Sequence, residues 1–166
     1  MLMKHGSPVK RIIVGVDGSA SSVEALRQAQ RLAVPSGAKI LATTYWDYPQ
    51  IHDGYLAMGI DGFEESAKNI LTEALHEAFG SDVPRNVVPK LVRCHPREGL
   101  IEATRDADIL VVGRRGQGAF GILLGSISSA CVAHSHCPVL VVHELPKPRA
   151  HTQEKDEAVI EPRKDL

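Results

Sequence analysis

Aromatic residues make up only 4% of this chain of 166 residues, which argues against the base-stacking platforms that hold nucleic acid. Basic charge is not in excess either. The net charge is −1 and the sequence pI about 6.7, and no basic stripe stands out, so nucleic acid is not an expected partner. No run of about 18 apolar residues occurs, and no charged-then-apolar leader is seen, so neither a membrane span nor secretion is expected. The cysteines are Cys94, Cys131 and Cys137, with no CxxC pair among them. An odd count without metal-ligand spacing suits a reducing cytoplasm. The pattern G-x-x-x-x-G-K-[ST] is missing, so no P-loop nucleotide hydrolase is indicated.

What is present is a hydrophobic share of 43%, enough for one domain with a substantial core. Residues 1–9 read as a flexible leader, 10–144 as the folded domain, and 145–166, with three prolines and mixed charge, as an irregular or disordered tail. Within the domain, Arg11 to Val16 is an apolar strand, and Asp17-Gly-Ser-Ala-Ser-Ser is a turn rich in helix-capping residues. A helix follows from about Ala20 to Val34, then a strand from Lys39 to Tyr45. The segment from Trp46 to Gly62 lacks clear periodicity and is long for a connection, so a lid or excursion is expected there. Phe63 to Phe79 is a helix, Val87 to Arg93 a strand, Pro96 to Arg105 a short helix, Asp108 to Val112 a strand, and Pro138 to His143 the last strand. Strands alternating with helices predict an α/β fold: a five-stranded parallel sheet of order 3-2-1-4-5 with helices on both faces.

The stretch from Asp108 to Ser135 carries the strongest local signal. Gly113, Gly116, Gly118, Gly121 and Gly125 place five glycines in thirteen residues, between a strand and a helix starting at Ser126. Ile127, Ala130, Cys131 and His134 then fall on one helix face. A helix start offers free N–H groups and the positive end of the macrodipole, which favour a phosphate where glycines let the backbone approach. A plain flexible loop with a capping serine is the competing reading. In a sheet of the expected order, the turns after Val16 and after Val112 meet at the crevice where strand order reverses, which raises the case for a phosphate or nucleotide ligand.

Other residues carry both a chemical and an ordinary structural reading. Asp17 ends the first strand at the crevice, where its carboxylate can hold a ligand hydroxyl or anchor a divalent cation; the alternative is a helix N-terminal carboxylate. Gly116-Gln-Gly-Ala-Phe-Gly121 matches G-x-G-x-x-G, but it precedes only one further strand and so does not fit a dinucleotide dehydrogenase. His134, His136 and Cys137 lack a second ligand pair, and Cys94-His95 lacks an orienting partner, so neither zinc nor a Cys–His nucleophile is expected. The apolar fifth strand, Val139 to Val142, is an edge that a second subunit or the tail would cover.

With these residues laid out, the chain resembles the universal stress protein family over about Lys10 to Glu144. Ile12-Ile-Val-Gly-Val-Asp17-Gly-Ser is similar to the family's first strand and turn; Leu110-Val-Val-Gly-Arg-Arg-Gly116, Leu124-Gly-Ser126 and Cys137-Pro-Val-Leu-Val-Val142 are similar to its closing signature. The family's ATP-binding branch carries G-x2-G-x9-G-[ST]; Gly113, Gly116 and Gly125-Ser126 match it, although only eight residues separate Gly116 from Gly125.

The resemblance implies an adenine nucleotide alpha hydrolase-like fold and binding of ATP with Mg²⁺. Val16 and Asp17 would touch adenosine, and Tyr45 would lie at an adenine contact, either stacking on the base or narrowing the pocket. Val112, Gly113, Gly116, Gly125, Ser126 and Ile127 would surround ribose and phosphates, with Asp17 near the metal through water. The resemblance also implies a homodimer through the fifth strand and a cytoplasmic sensor or regulator of the stress response, its protein partner unspecified. No residue stands out as a general base, so at most weak ATPase activity is expected. The alternatives are a slow nucleotide hydrolase or adenylyl-transferring enzyme, and an interaction module that binds no nucleotide or a cyclic one.

Overall fold

The computed structural model describes residues 7–48, 60–114 and 124–144. The expected leader lies mostly outside these residues, as do most of the glycine loop and the tail.

Ten segments follow one another: β1 (Arg11–Gly15), α1 (Ala20–Ala33), β2 (Lys39–Trp46), α2 (Ile60–Phe79), β3 (Val87–Arg93), α3 (Pro96–Ala103), a 3₁₀ turn (Thr104–Asp106), β4 (Ile109–Gly113), α4 (Ser126–His134) and β5 (Val139–Val142). The strands form one parallel sheet in the order β3-β2-β1-β4-β5. The register sets Ile12 beside both Ile40 and Ile109, and Val14 beside both Ala42 and Val111.

Side-chain alternation along the strands divides the core between two faces. Ile12, Val14, Val16, Ile40, Ala42 and Val111 pack on one face against Val23, Leu26, Ala29 and Ala33 of α1 and Leu71, Ala74 and Leu75 of α2. Ile13, Leu110 and Val112 pack on the other against Leu100 of α3 and Cys131 of α4. Strands covered on both sides need apolar residues at every position, which is why the central runs show no polar alternation. Arg27 ties the two helices of the first face: it pairs with the buried Glu24 at 3.2 Å and donates to the Glu77 carbonyl at the end of α2 at 2.8 Å.

Several boundaries differ from the sequence reading. Trp46 closes β2 and α2 begins at Ile60, three residues ahead of the expected start; a glycine such as Gly62 costs a helix only about 1 kcal/mol and does not stop it. The helix after Pro96 ends at Ala103 and tightens into the 3₁₀ turn. His134, assigned to the apolar face of α4, is exposed, while Ala130 and Cys131 are buried and Ile127 half-buried. The helix ends at His134 itself, so its last residue has no following turn to pack under.

The 3₁₀ turn holds one junction of the second face. Thr104 is 1% exposed; its hydroxyl donates to the Ile101 carbonyl at 2.5 Å and accepts from the His136 N–H at 2.9 Å. This joins α3 to the approach of β5. Thr104→Val leaves the His136 N–H without its acceptor and is expected to destabilise the fold by about 1–3 kcal/mol, whereas Thr104→Ser is expected to lose less; urea unfolding midpoints of the two variants check this.

Candidate functional site

The carboxyl ends of the strands open onto a cleft of about 1080 Å³. It lies where the strand order reverses between β1 and β4, the place at which open parallel sheets take ligands. The cleft brings together Val16, Asp17, Tyr45, Val112, Gly113, Gly125, Ser126 and Ile127. Gly116 lies outside the described residues.

The β1 turn is pinned by its own side chains. Asp17 accepts from the Ser19 N–H at 3.0 Å and the Ser19 hydroxyl at 2.6 Å. Ser19 caps α1 by accepting from the Ser22 N–H at 3.2 Å. One carboxylate oxygen of Asp17 is thereby engaged in shaping the turn. The helix-capping reading of this segment holds in that Ser19 is the cap and Asp17 supports it.

Gly113, at the end of β4, meets the start of α1. A Cβ at this position would lie 2.9 Å from the Ser22 nitrogen and 3.0 Å from the Ser21 carbonyl carbon, so only glycine fits. The Gly113 carbonyl accepts from the Ser128 hydroxyl at 2.6 Å, and the Gly125 N–H donates to the Arg114 carbonyl at 2.9 Å. These two bonds set the first turn of α4 against the end of β4. Its N-cap is Gly125, with no side-chain capping bond, so the first-turn N–H groups keep their capacity for an anion. Ser128 was not singled out from the sequence, although its place three residues after Gly125 on a helix start was a usable signal.

Tyr45 stands on the second face. Its ring packs on Gly99 of α3, where an added Cβ would fall 2.5 Å from the Tyr45 Cδ1. Burial pushes its phenol up to about 12, and the Cys94 and Cys131 thiols add to the rise.

Trp46 and Tyr48 instead meet α2. Trp46 and Tyr48 pack edge-to-face with centroids 5.6 Å apart, and Tyr48 and Phe63 do so at 6.1 Å. The Arg93 guanidinium lies over the Tyr48 ring at 4.4 Å and pairs with Asp47 at 3.8 Å. Trp46, Tyr48 and Phe63 all line the cleft, and sequence reading assigned them no role; the signal was the aromatic cluster Tyr45-Trp46-Asp47-Tyr48 at a strand end.

The charge of the cleft is unusual for an anion site. Asp17, Asp47 and Glu98 line it together with His95, and among the described lining residues there is no lysine or arginine. Among the described residues no group of three or more His, Cys, Asp or Glu is arranged to hold a metal ion, and no helix is long and apolar enough to cross a membrane.

Fold and cleft together define an open parallel α/β protein with a crevice at the point of strand reversal. The universal stress protein family model matches residues 8–143, and the chain belongs to that family. A universal stress protein of Mycolicibacterium smegmatis is 33% identical over 141 residues, an alignment covering 80% of this chain and 47% of that protein. A universal stress protein of Mycobacterium tuberculosis is 27% identical over 165 residues, covering 92% of this chain and 54% of that protein. The chain thus spans about half the length of the curated relatives it matches. Among solved structures, a universal stress protein in complex with cAMP is 30% identical with a TM-score of 0.62, covering 84% of this chain and 100% of that one. The fold is of the adenine nucleotide alpha hydrolase-like type.

The raised Tyr45 phenol has a consequence for alkaline stability. The unfolded phenol ionises from about pH 10, while the folded one stays neutral to about 12. The unfolded state therefore releases its proton first, and stability falls as pH rises through this window. Tyr45→Phe is expected to remove that fall; denaturant midpoints at about pH 8 and about pH 11 for the two proteins measure it.

Proposed function

We propose that this chain binds an adenine nucleotide, ATP with Mg²⁺, in the cleft and acts as a cytoplasmic sensor or regulator of the stress response. The observation that carries this reading is the uncapped start of α4, set against Gly113 and facing a cleft at the strand reversal. Gly113, Gly116, Gly125, Ser126 and Ile127 would surround the phosphates and ribose together with Val112; Val16 and Asp17 would border the adenosine, and Tyr45 would wall the pocket. The carboxylates of Asp17, Asp47 and Glu98 in the lining favour a metal-bound triphosphate, because helix dipoles alone offset little of its charge. Asp17 would approach that metal through water.

The β5 edge, with Leu140 37% exposed and Val132 of the neighbouring α4 54% exposed, supports a homodimer through Val139 to Val142, since an open apolar strand edge invites pairing. The three free cysteines suit a cytoplasmic setting.

A second reading has its own support. A relative 30% identical is described in complex with cAMP, and a cyclic monophosphate carries a single negative charge that the first-turn N–H groups can meet without metal.

Titration calorimetry with ATP, with and without Mg²⁺, and with cAMP separates the two. The expected result is ATP binding that weakens at least about tenfold, about 1.4 kcal/mol, when Mg²⁺ is chelated. Tighter, metal-independent binding of cAMP would install the second reading. Gly116→Val or Gly125→Val is expected to weaken ATP at least about tenfold; unchanged affinity in both would remove the site assignment.

A further inference from the structure

Beyond its glycine end, the cleft has an aromatic end, of which the nucleotide contacts above use only Tyr45. The chain has one tryptophan, three tyrosines and three phenylalanines, and four of these seven, Tyr45, Trp46, Tyr48 and Phe63, line this one cleft. Tyr45 belongs to the face of α3 and α4, with its ring against Gly99. The rings of Trp46, Tyr48 and Phe63 sit together on the side of α2 and are half-buried.

Their geometry makes a corner. Both pairs meet at 87°, so a plate-shaped group can lie flat on one ring while its edge meets another. Arg93 stacks on Tyr48, and cation–π contact holds that ring in place. Ala67 and Ile70 of α2 continue the apolar wall. Such a corner gains most from a flat, weakly hydrated ring system, and a purine is one.

We infer that the Trp46–Tyr48–Phe63 corner is the base-stacking subsite of the cleft, with Tyr45 acting as wall rather than as stacking partner; this rests on the nucleotide reading above. The phosphates then lie at the start of α4 and the base against α2, so that one ligand spans the carboxyl ends of β1 and β2. Stacking reads ring area rather than hydrogen-bond pattern, so the subsite favours purines over pyrimidines and discriminates weakly among purines.

Trp46 is the only tryptophan, so its emission reports the corner directly. Purified protein would be titrated with ATP plus Mg²⁺, with cAMP, and with inorganic tripolyphosphate, which has no base. Any nucleotide that binds is expected to shift Trp46 emission, and tripolyphosphate is expected to leave it unchanged. By calorimetry, Trp46→Leu and Phe63→Leu keep apolar bulk without a ring and are expected to weaken that nucleotide by at least about fivefold, while Trp46→Phe stays within about twofold. Nucleotide binding that survives both leucine variants would overturn the subsite and leave the nucleotide reading intact. Failure of ATP and cAMP alike to bind the wild-type protein would overturn both.

Discussion

The missing side chain of Gly113 is the constraint on which the arrangement of the cleft depends. At the end of the interior strand β4, it lets the first turn of α1 come within a distance that no Cβ permits, at Ser21 and Ser22. The same residue's carbonyl receives the Ser128 hydroxyl, which fixes the start of α4. Two helices on opposite faces of the sheet are therefore referenced to one residue. The starts of α1 and α4 both border the cleft because both are held to the same point.

Charge follows from this geometry. Three carboxylates line the cleft, so under the nucleotide reading a phosphate would rely on the backbone groups of the α4 start and on the cation it brings. Backbone N–H groups cannot reposition as lysine side chains can, so anion binding of this kind depends on how well the helix start is set. The Ser128–Gly113 and Gly125–Arg114 bonds are what set it. With Gly125 as N-cap, no serine or aspartate side chain competes for the first-turn donors.

The sheet order and the capped turn after β1 were legible in the sequence, because apolar runs without alternation and capping residues are local signals. The crevice was legible one step further on, by combining that order with the strand-reversal rule. What escaped was non-local. Nothing near Tyr45 in sequence announces that Gly99, on another element, makes room for its ring. Thr104 reads as an ordinary helix-end residue, yet its hydroxyl serves His136, thirty-two residues away. The helical period assigned His134 to the buried face, but periodicity does not say how far along a helix the covering layer extends.

The aromatic corner shows why a composition average misleads. At 4% of residues, aromatics argue against the stacking platforms that hold nucleic acid, and over the whole chain they are few. A binding site, however, samples the composition of one place, and here the fold gathers more than half of the aromatic rings at one cleft. β2 delivers two of them through its strand alternation, sending Tyr45 to one face and Trp46 to the other, and Phe63 arrives from α2 after a connection that carries no periodic signal. Consecutive aromatic residues at a strand end therefore serve two faces of the same crevice: one closes it against α3, and the other opens a flat surface toward α2. The shape available to a ring follows from that division, and not from the number of rings in the chain.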